Sequence, residues 1–278
     1  MKKTAVPMMW QYVIYSYLLF WVMIIGLGGA ASMIFQAPPA VMNAITVLCS
    51  WSPTIVLLLM LKKLRPGMTV GGFYKQAFKE RLSIPLLVVT AMIVFGIFFS
   101  AVLLLSGVQG TAFSTQIAVP SALGGVILLT ALQGPSGEES GWRGYLRLEL
   151  EERIGFMKGN LVLGLIWTFW HTPLWFIASS FTGSHLLMYI ASNVIVMTAL
   201  TFMMGIFMKR CNNLFIPFWI HFCFNLSLRF FAGGIYFFAA ISVLYTAAIL
   251  VLLKYSSGKW IAPDSSVDGA ADVLLDRM

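Results

Sequence analysis

The chain has 278 residues, of which 59% are hydrophobic and only 10% charged, with a formal net charge of +8. Soluble domains are about a quarter charged, so this composition excludes an ordinary soluble domain and describes a polytopic membrane protein. Nucleic-acid binding is excluded as well, because the bases fall in short clusters between apolar runs and not on one continuous basic face. The cysteines Cys49, Cys211 and Cys223 have no paired spacing, which gives neither a disulfide framework nor a metal motif.

The first apolar run follows Lys2 and Lys3 and is too long for a signal-peptide core. No small-residue cleavage site ends it, so it reads as a retained first span. A span needs about 20 apolar residues. Eight stretches qualify, at roughly 9–35, 41–61, 84–106, 120–146, 160–181, 185–208, 214–231 and 234–254. The fourth is the least regular, being interrupted by Gln133, Gly134, Pro135, Glu138 and Glu139.

Basic residues set the orientation. Lys62, Lys63, Arg65, Lys75, Lys79 and Arg81 lie between spans two and three, and Arg147, Arg153 and Lys158 between four and five. Lys209 and Arg210 lie between six and seven, and Lys254 and Lys259 follow the eighth. The alternate connections carry no Lys or Arg, so both termini are expected in the cytosol. Arg229, near the outer end of the seventh span, is the exception. It is expected either to reach the headgroups or to pair inside the bundle. Segments 62–83 and 146–160 mix bases with aromatic or apolar residues and read as cytosolic interfacial helices or loops. The chain divides into a membrane domain, 1–255, and a flexible cytosolic tail, 256–278, which holds Asp264, Asp268, Asp272 and Asp276.

Of ten acidic residues, only Glu138 and Glu139 fall at membrane depth. A carboxylate at the bilayer centre costs about 2.5 kcal/mol or more, so partners or a use are expected. Arg143 is one helical turn from Glu139 and can pair with it. Glu138, rotated by about 100°, is left without a local partner. One reading is an ion-pair network that joins spans; the other is a functional site.

His171 lies in LIWTFWHTPLWF, ahead of a helix-loosening Pro173, and His221 lies one turn before Asn225 on a shared face. His185 reads as a loop histidine. Counted from the cytosolic ends of their own spans, Glu138 is about 13 Å deep, His171 about 18 Å, and His221 and Asn225 about 12–18 Å. Three spans therefore place polar groups in one layer, which favours a shared site in a polar cavity open to the cytosolic half of the bilayer. A buried glutamate with an imidazole can deprotonate a water. A second histidine and an asparagine can donate to a developing oxyanion. No G-x-S-x-G elbow surrounds Ser136 or Ser140, and Cys223 points to a different helical face from His221 and Asn225.

These residues carry a resemblance. The chain resembles the CPBP family of intramembrane proteases, also called the Abi or type II CAAX-protease family. Its E-E-x-x-x-R motif matches Glu138, Glu139 and Arg143. Its F-x-x-x-H motif matches Trp167 to His171, with Trp in place of the usual Phe, and its H-x-x-x-N/D motif matches His221 and Asn225. The similarity covers about residues 120–230.

The resemblance implies an all-α membrane endopeptidase with Glu138 and His171 activating water. It implies His221 and Asn225 as oxyanion stabilisers, and Glu139 and Arg143 as organisers of the site. It implies a hydrophobic or lipidated peptide as substrate. The short chain and retained first span point to a bacterial cell membrane, and the clustered bases to no nucleic-acid partner. Substrates in the family range from prenylated CAAX proteins to bacteriocin and quorum-sensing peptides. No cofactor is expected. H-E-x-x-H is absent, and if zinc is used, Glu138, His171 and His221 are the ligands it would take. The competing expectation is a non-enzymatic protein, either an ion-coupled transporter or an immunity-type binding protein, since transporters also bury Glu and His at interrupted helices.

Overall fold

A computed structural model describes residues 6–260, so the expected tail lies outside the described residues from 261 onward, as do Lys2 and Lys3. All regular structure among the described residues is helical, apart from an isolated bridge between Ile117 and Phe231. Five helices are long and apolar enough to cross a membrane: α1 (Met8–Met33), α2 (Pro39–Leu64), α4 (Ile84–Gln109), α9 (Gly183–Met208) and α11, whose Tyr236–Trp260 helix contains the apolar stretch Tyr236–Ser256. The chain is an all-α polytopic membrane protein. Within these helices the lipid-compatible faces stay open; Leu59 is 80% and Val108 86% exposed.

The other three expected spans are built differently, and they are the ones that carry the polar motifs. Stretch 120–146 splits into α5 (Leu123–Leu132) and α6 (Pro135–Gly141), with a π-helical turn at Trp142–Leu146. Gly134 makes the break with φ +97°, a left-handed conformation open to glycine. Stretch 160–181 is the end of α7 (Arg147–Trp170), which itself kinks at Gly155, followed by the short α8 (Thr172–Ile177). Pro173 cannot continue the α7 hydrogen-bond ladder, so the break falls just after His171. Stretch 214–231 is α10 (Phe215–Arg229), 15 residues and about 22 Å long. Irregular backbone at membrane depth is tolerated where it lines a cavity.

Segment 62–83, expected as an interfacial helix or loop, is a short helix with flanking turns. It contains α3 (Val70–Ala77), capped by the Thr69 hydroxyl accepting from Gly72 N–H. Phe73 of α3 is buried, and the Tyr74 hydroxyl lies 3.3 Å from Ser140 Oγ, so α3 plugs the base of the motif helix. Segment 146–160 is part of α7 and is fixed by ion pairs. Arg147 donates to Glu151 at 3.0 Å and to Asn212 at 2.9 Å, and Arg65 pairs with Glu149 at 2.9 Å. His185 falls in the first turn of α9, not in a loop.

Without a hydrophobic force between helices in lipid, close approach through small residues holds a bundle together. Gly164 of α7 shows this against α9: a Cβ there would sit 2.8 Å from Thr198 Cα. Helix α1 is tied to α7 by hydrogen bonds, from Tyr17 Oη to the Ile166 carbonyl at 2.5 Å and from Trp21 Nε1 to the Trp170 carbonyl at 3.0 Å. These contacts fix the stretch of α7 that presents Trp167 and His171.

Candidate active site

The Gly134 break starts α6 so that its carbonyl accepts from Glu138 N–H at 2.8 Å. Gly137 and Gly141 let α6 pack tightly on α2, since a Cβ at either would come within 3.0 Å of Ser50 or Pro53 backbone. Glu138 and Glu139 are thereby buried, at 3% and 1% exposure. They point to different neighbours, as adjacent helical positions must.

Glu139 is the organised carboxylate. Its Oε1 accepts from Arg143 Nη1 at 3.2 Å and from His221 Nδ1–H at 2.7 Å. Arg143, fully buried, also donates from Nη2 to Thr201 Oγ1 at 3.0 Å and lies with its guanidinium 3.9 Å from the centre of the Trp167 ring. One cation therefore links α6, α7 and α9, and Glu139 adds α10. The expected Glu139–Arg143 pair is present. The pairing of Glu139 with His221 is an addition that the sequence did not signal.

Glu138 has a different shell. Its Oε2 accepts from the Trp167 indole N–H at 2.5 Å. His171 donates from Nδ1 to the Trp167 carbonyl at 2.8 Å, which leaves its Nε2 as an acceptor. Its ring is held edge-on to Trp170, with centroids 4.6 Å apart. Across the site, a Cβ at Gly134 would lie 3.1 Å from His221 Nε2 and from Asn225 Nδ2, so glycine is needed there for space as well as for its φ.

Glu138, His171, His221 and Asn225 all line one cavity of about 430 Å³. Glu139 and Arg143 sit behind it and do not line it. Of the six residues singled out from the sequence, four face a common space and two support it. Its walls include Phe20, Met197 and Phe238, and Gln133 and Arg229 lie at its edge, joined by a 2.8 Å hydrogen bond from Arg229 Nη2 to Gln133 Oε1. Arg229 is thus tied to the cavity rim, not buried in the bundle.

The cavity lies toward one end of the bundle. Its walls come from the first half of α9 (Tyr189–Met197), the start of α11 (Phe238, Ile241) and the far end of α10 (Leu228, Arg229). These are the helix halves remote from the basic connections. On the basic side the site is closed by the Arg143–Thr201 link and by α3, whose Phe73 lies against Gly144.

His171 and His221 each use Nδ1 for a protein partner, the Trp167 carbonyl and the Glu139 carboxylate, which is also how a metal-binding imidazole is held with its Nε2 free. Among the described residues no three or more His, Cys, Asp or Glu side chains form a group that could hold a metal ion.

The model of the type II CAAX prenyl endopeptidase Rce1-like family matches residues 120–227, which contain every one of these site residues. Residues 120–227 are thus similar to that family. Among curated proteins, the chain is 36% identical over 72 residues to CAAX prenyl protease 2 of Methanococcus maripaludis. That match covers 26% of this chain and 24% of the relative, so the similarity concerns about a quarter of each. Within that matched segment, Trp167 brings an indole donor to Glu138 where a Phe would bring none. Trp167→Phe is expected to keep the packing and lose that hydrogen bond, lowering turnover by about 10–150-fold, in line with about 1.5–3 kcal/mol for a charge-assisted bond. An unchanged turnover number for the purified variant would show that the indole only fills space.

Proposed function

We propose that the chain is an intramembrane endopeptidase that cleaves a hydrophobic or lipidated peptide with water activated by Glu138 and His171. The observation that carries this reading is the grouping of two proton acceptors, Glu138 and His171 Nε2, with two candidate donors, His221 and Asn225, around one cavity. The apolar walls suit a hydrophobic peptide segment, and the family match supports peptide hydrolysis as the reaction class.

In this reading a water is held between Glu138 and His171. One of them takes its proton as the oxygen attacks the scissile carbonyl. The oxyanion is met by Asn225 Nδ2–H, with the His221 ring beside it held in place by its Nδ1 bond to Glu139. Glu139 orients that ring as a buried carboxylate orients a catalytic imidazole. The proton held by Glu138 or His171 then passes to the leaving amine, and both groups are regenerated. The loop charges support both termini facing the cytosol, and with them a substrate entering from the opposite half of the bilayer.

The test begins with the peptides that accumulate in cells lacking the protein. One of these is offered to the purified protein, and cleavage is read by mass spectrometry. Cleavage by the wild type, lost in His171→Ala, supports the proposal. Intact peptide with every preparation, or equal cleavage by the variant, would leave a carrier or an immunity-type binding protein as the better reading. We propose further that hydrolysis is metal-free. Active protein is then expected to hold well under one zinc per chain by elemental analysis and to keep its activity in chelator. Loss of activity to chelator, restored by added Zn²⁺, would reverse that.

A further inference from the structure

A second cavity, of about 610 Å³, shares no lining residue with the first. It lies where the α7 kink at Gly155 opens a gap against the ends of α9 and α11. Ile154, Phe156, Met157, Ile206 and Leu253 give it an apolar body. Lys158, Lys209 and Lys254 stand around it, and no carboxylate lines it. Lys209 is held in place, with Nζ 3.7 Å from the centre of the Phe156 ring.

We infer that this cavity is a binding site for an anionic membrane phospholipid, with the phosphate among the three lysines and acyl chain along Phe156, Ile206 and Leu253. Charge and position both select that occupant. Lys158 comes from α7, Lys209 directly follows the apolar helix Gly183–Met208, and Lys254 lies near the end of the apolar stretch Tyr236–Ser256, the level at which headgroup phosphates lie. Basic pockets between helices at such a level hold anionic headgroups. A free anion would have no use for the apolar body, and an apolar peptide none for the lysines. The cavity also adjoins the helix pair that holds the active site, since α7 carries Trp167 and α9 carries Thr201. A lipid wedged at the kink would brace that pair from its basic end.

The test is a titration of purified full-length protein with phosphatidylglycerol or phosphatidylcholine, with bound lipid counted by native mass spectrometry. Phosphatidylglycerol is expected to bind more tightly. Lys158→Gln and Lys209→Gln should each weaken it about fivefold, and the pair about 25-fold, without affecting phosphatidylcholine. Leu253→Trp, which fills the apolar body and keeps the charge, should displace the lipid in a protein whose unfolding temperature in phosphatidylcholine is unchanged. Equal binding of the two lipids, or insensitivity to all three substitutions, overturns the inference. So does competition by glycerol phosphate as strong as that by the whole lipid, which would mean an anion site only. Selectivity that appears only after removal of residues 261–278 also overturns it, because the tail with its four aspartates would then be the occupant.

Discussion

Glu138→Gln is expected to lower turnover by about 10²–10⁴-fold, the range spanned by a lost general base, while the protein keeps its fold and thermal stability. The substitution is close to isosteric. An amide oxygen can still accept from the Trp167 indole, so the one hydrogen bond that fixes the side chain survives. No cation depends on Glu138 for charge balance, because Arg143 donates to Glu139 and Thr201. Removing a buried carboxylate that has no ion-pair partner leaves no charge stranded, so little stability is at risk. What is lost is the capacity to take a proton at the cavity wall. Turnover and thermal unfolding measured on one preparation decide the matter. A Gln variant that still cleaves would assign the base to His171 alone, and one that unfolds would make Glu138 a structural residue.

The parts of the molecule that were legible in the sequence are those governed by local rules. Length and apolarity marked α1, α2, α4, α9 and α11, because a continuous span needs nothing else. The same rule failed on stretch 120–146, where Gly134 and Pro135 divide the helix, and on stretch 160–181, where Pro173 does. Within the site, the Glu139–Arg143 pair follows from i,i+4 spacing on one helix. The bond from His221 to Glu139 joins two helices 82 positions apart, and no spacing rule reaches across that distance. Thr201 gave no signal, since a lone threonine in an apolar span ordinarily bonds its own helix, as this one also does to the Met197 carbonyl. Trp167 could have been found. A tryptophan buried in an apolar span still needs a partner for its N–H, and an unpaired glutamate at the same depth was available. The side on which the cavity lies depends on how helix halves splay apart, which is set by packing and has no one-dimensional trace.

Arg143→Ala should act in the opposite sense to Glu138→Gln, destabilising the protein by about 3–5 kcal/mol, the loss typical when one partner of a buried ion pair is removed. Arg143 is fully buried and is the shared partner of Glu139, Thr201 and the Trp167 ring, so its removal loosens three helices together. Glu139, 1% exposed, would keep only His221, and its Oε2 has no hydrogen-bond partner even in the intact site. Arg143→Lys should recover part of the loss, because a single ammonium cannot bridge Glu139 and Thr201 while stacking on an indole as a planar guanidinium does. If the stranded charge is the cause, adding Glu139→Gln to Arg143→Ala should restore stability, and the double-mutant cycle should give a coupling of about 1–3 kcal/mol. Restoration of stability need not bring back activity, since His221 would then lack the carboxylate that holds its Nδ1 proton. Thermal unfolding of the four proteins in one detergent provides the cycle, and turnover of the folded fraction provides the second readout. A stable but inactive Arg143→Ala beside an unstable Glu138→Gln would mean that the two carboxylates have each other's roles, with Glu139 handling the proton and Glu138 holding the helices together.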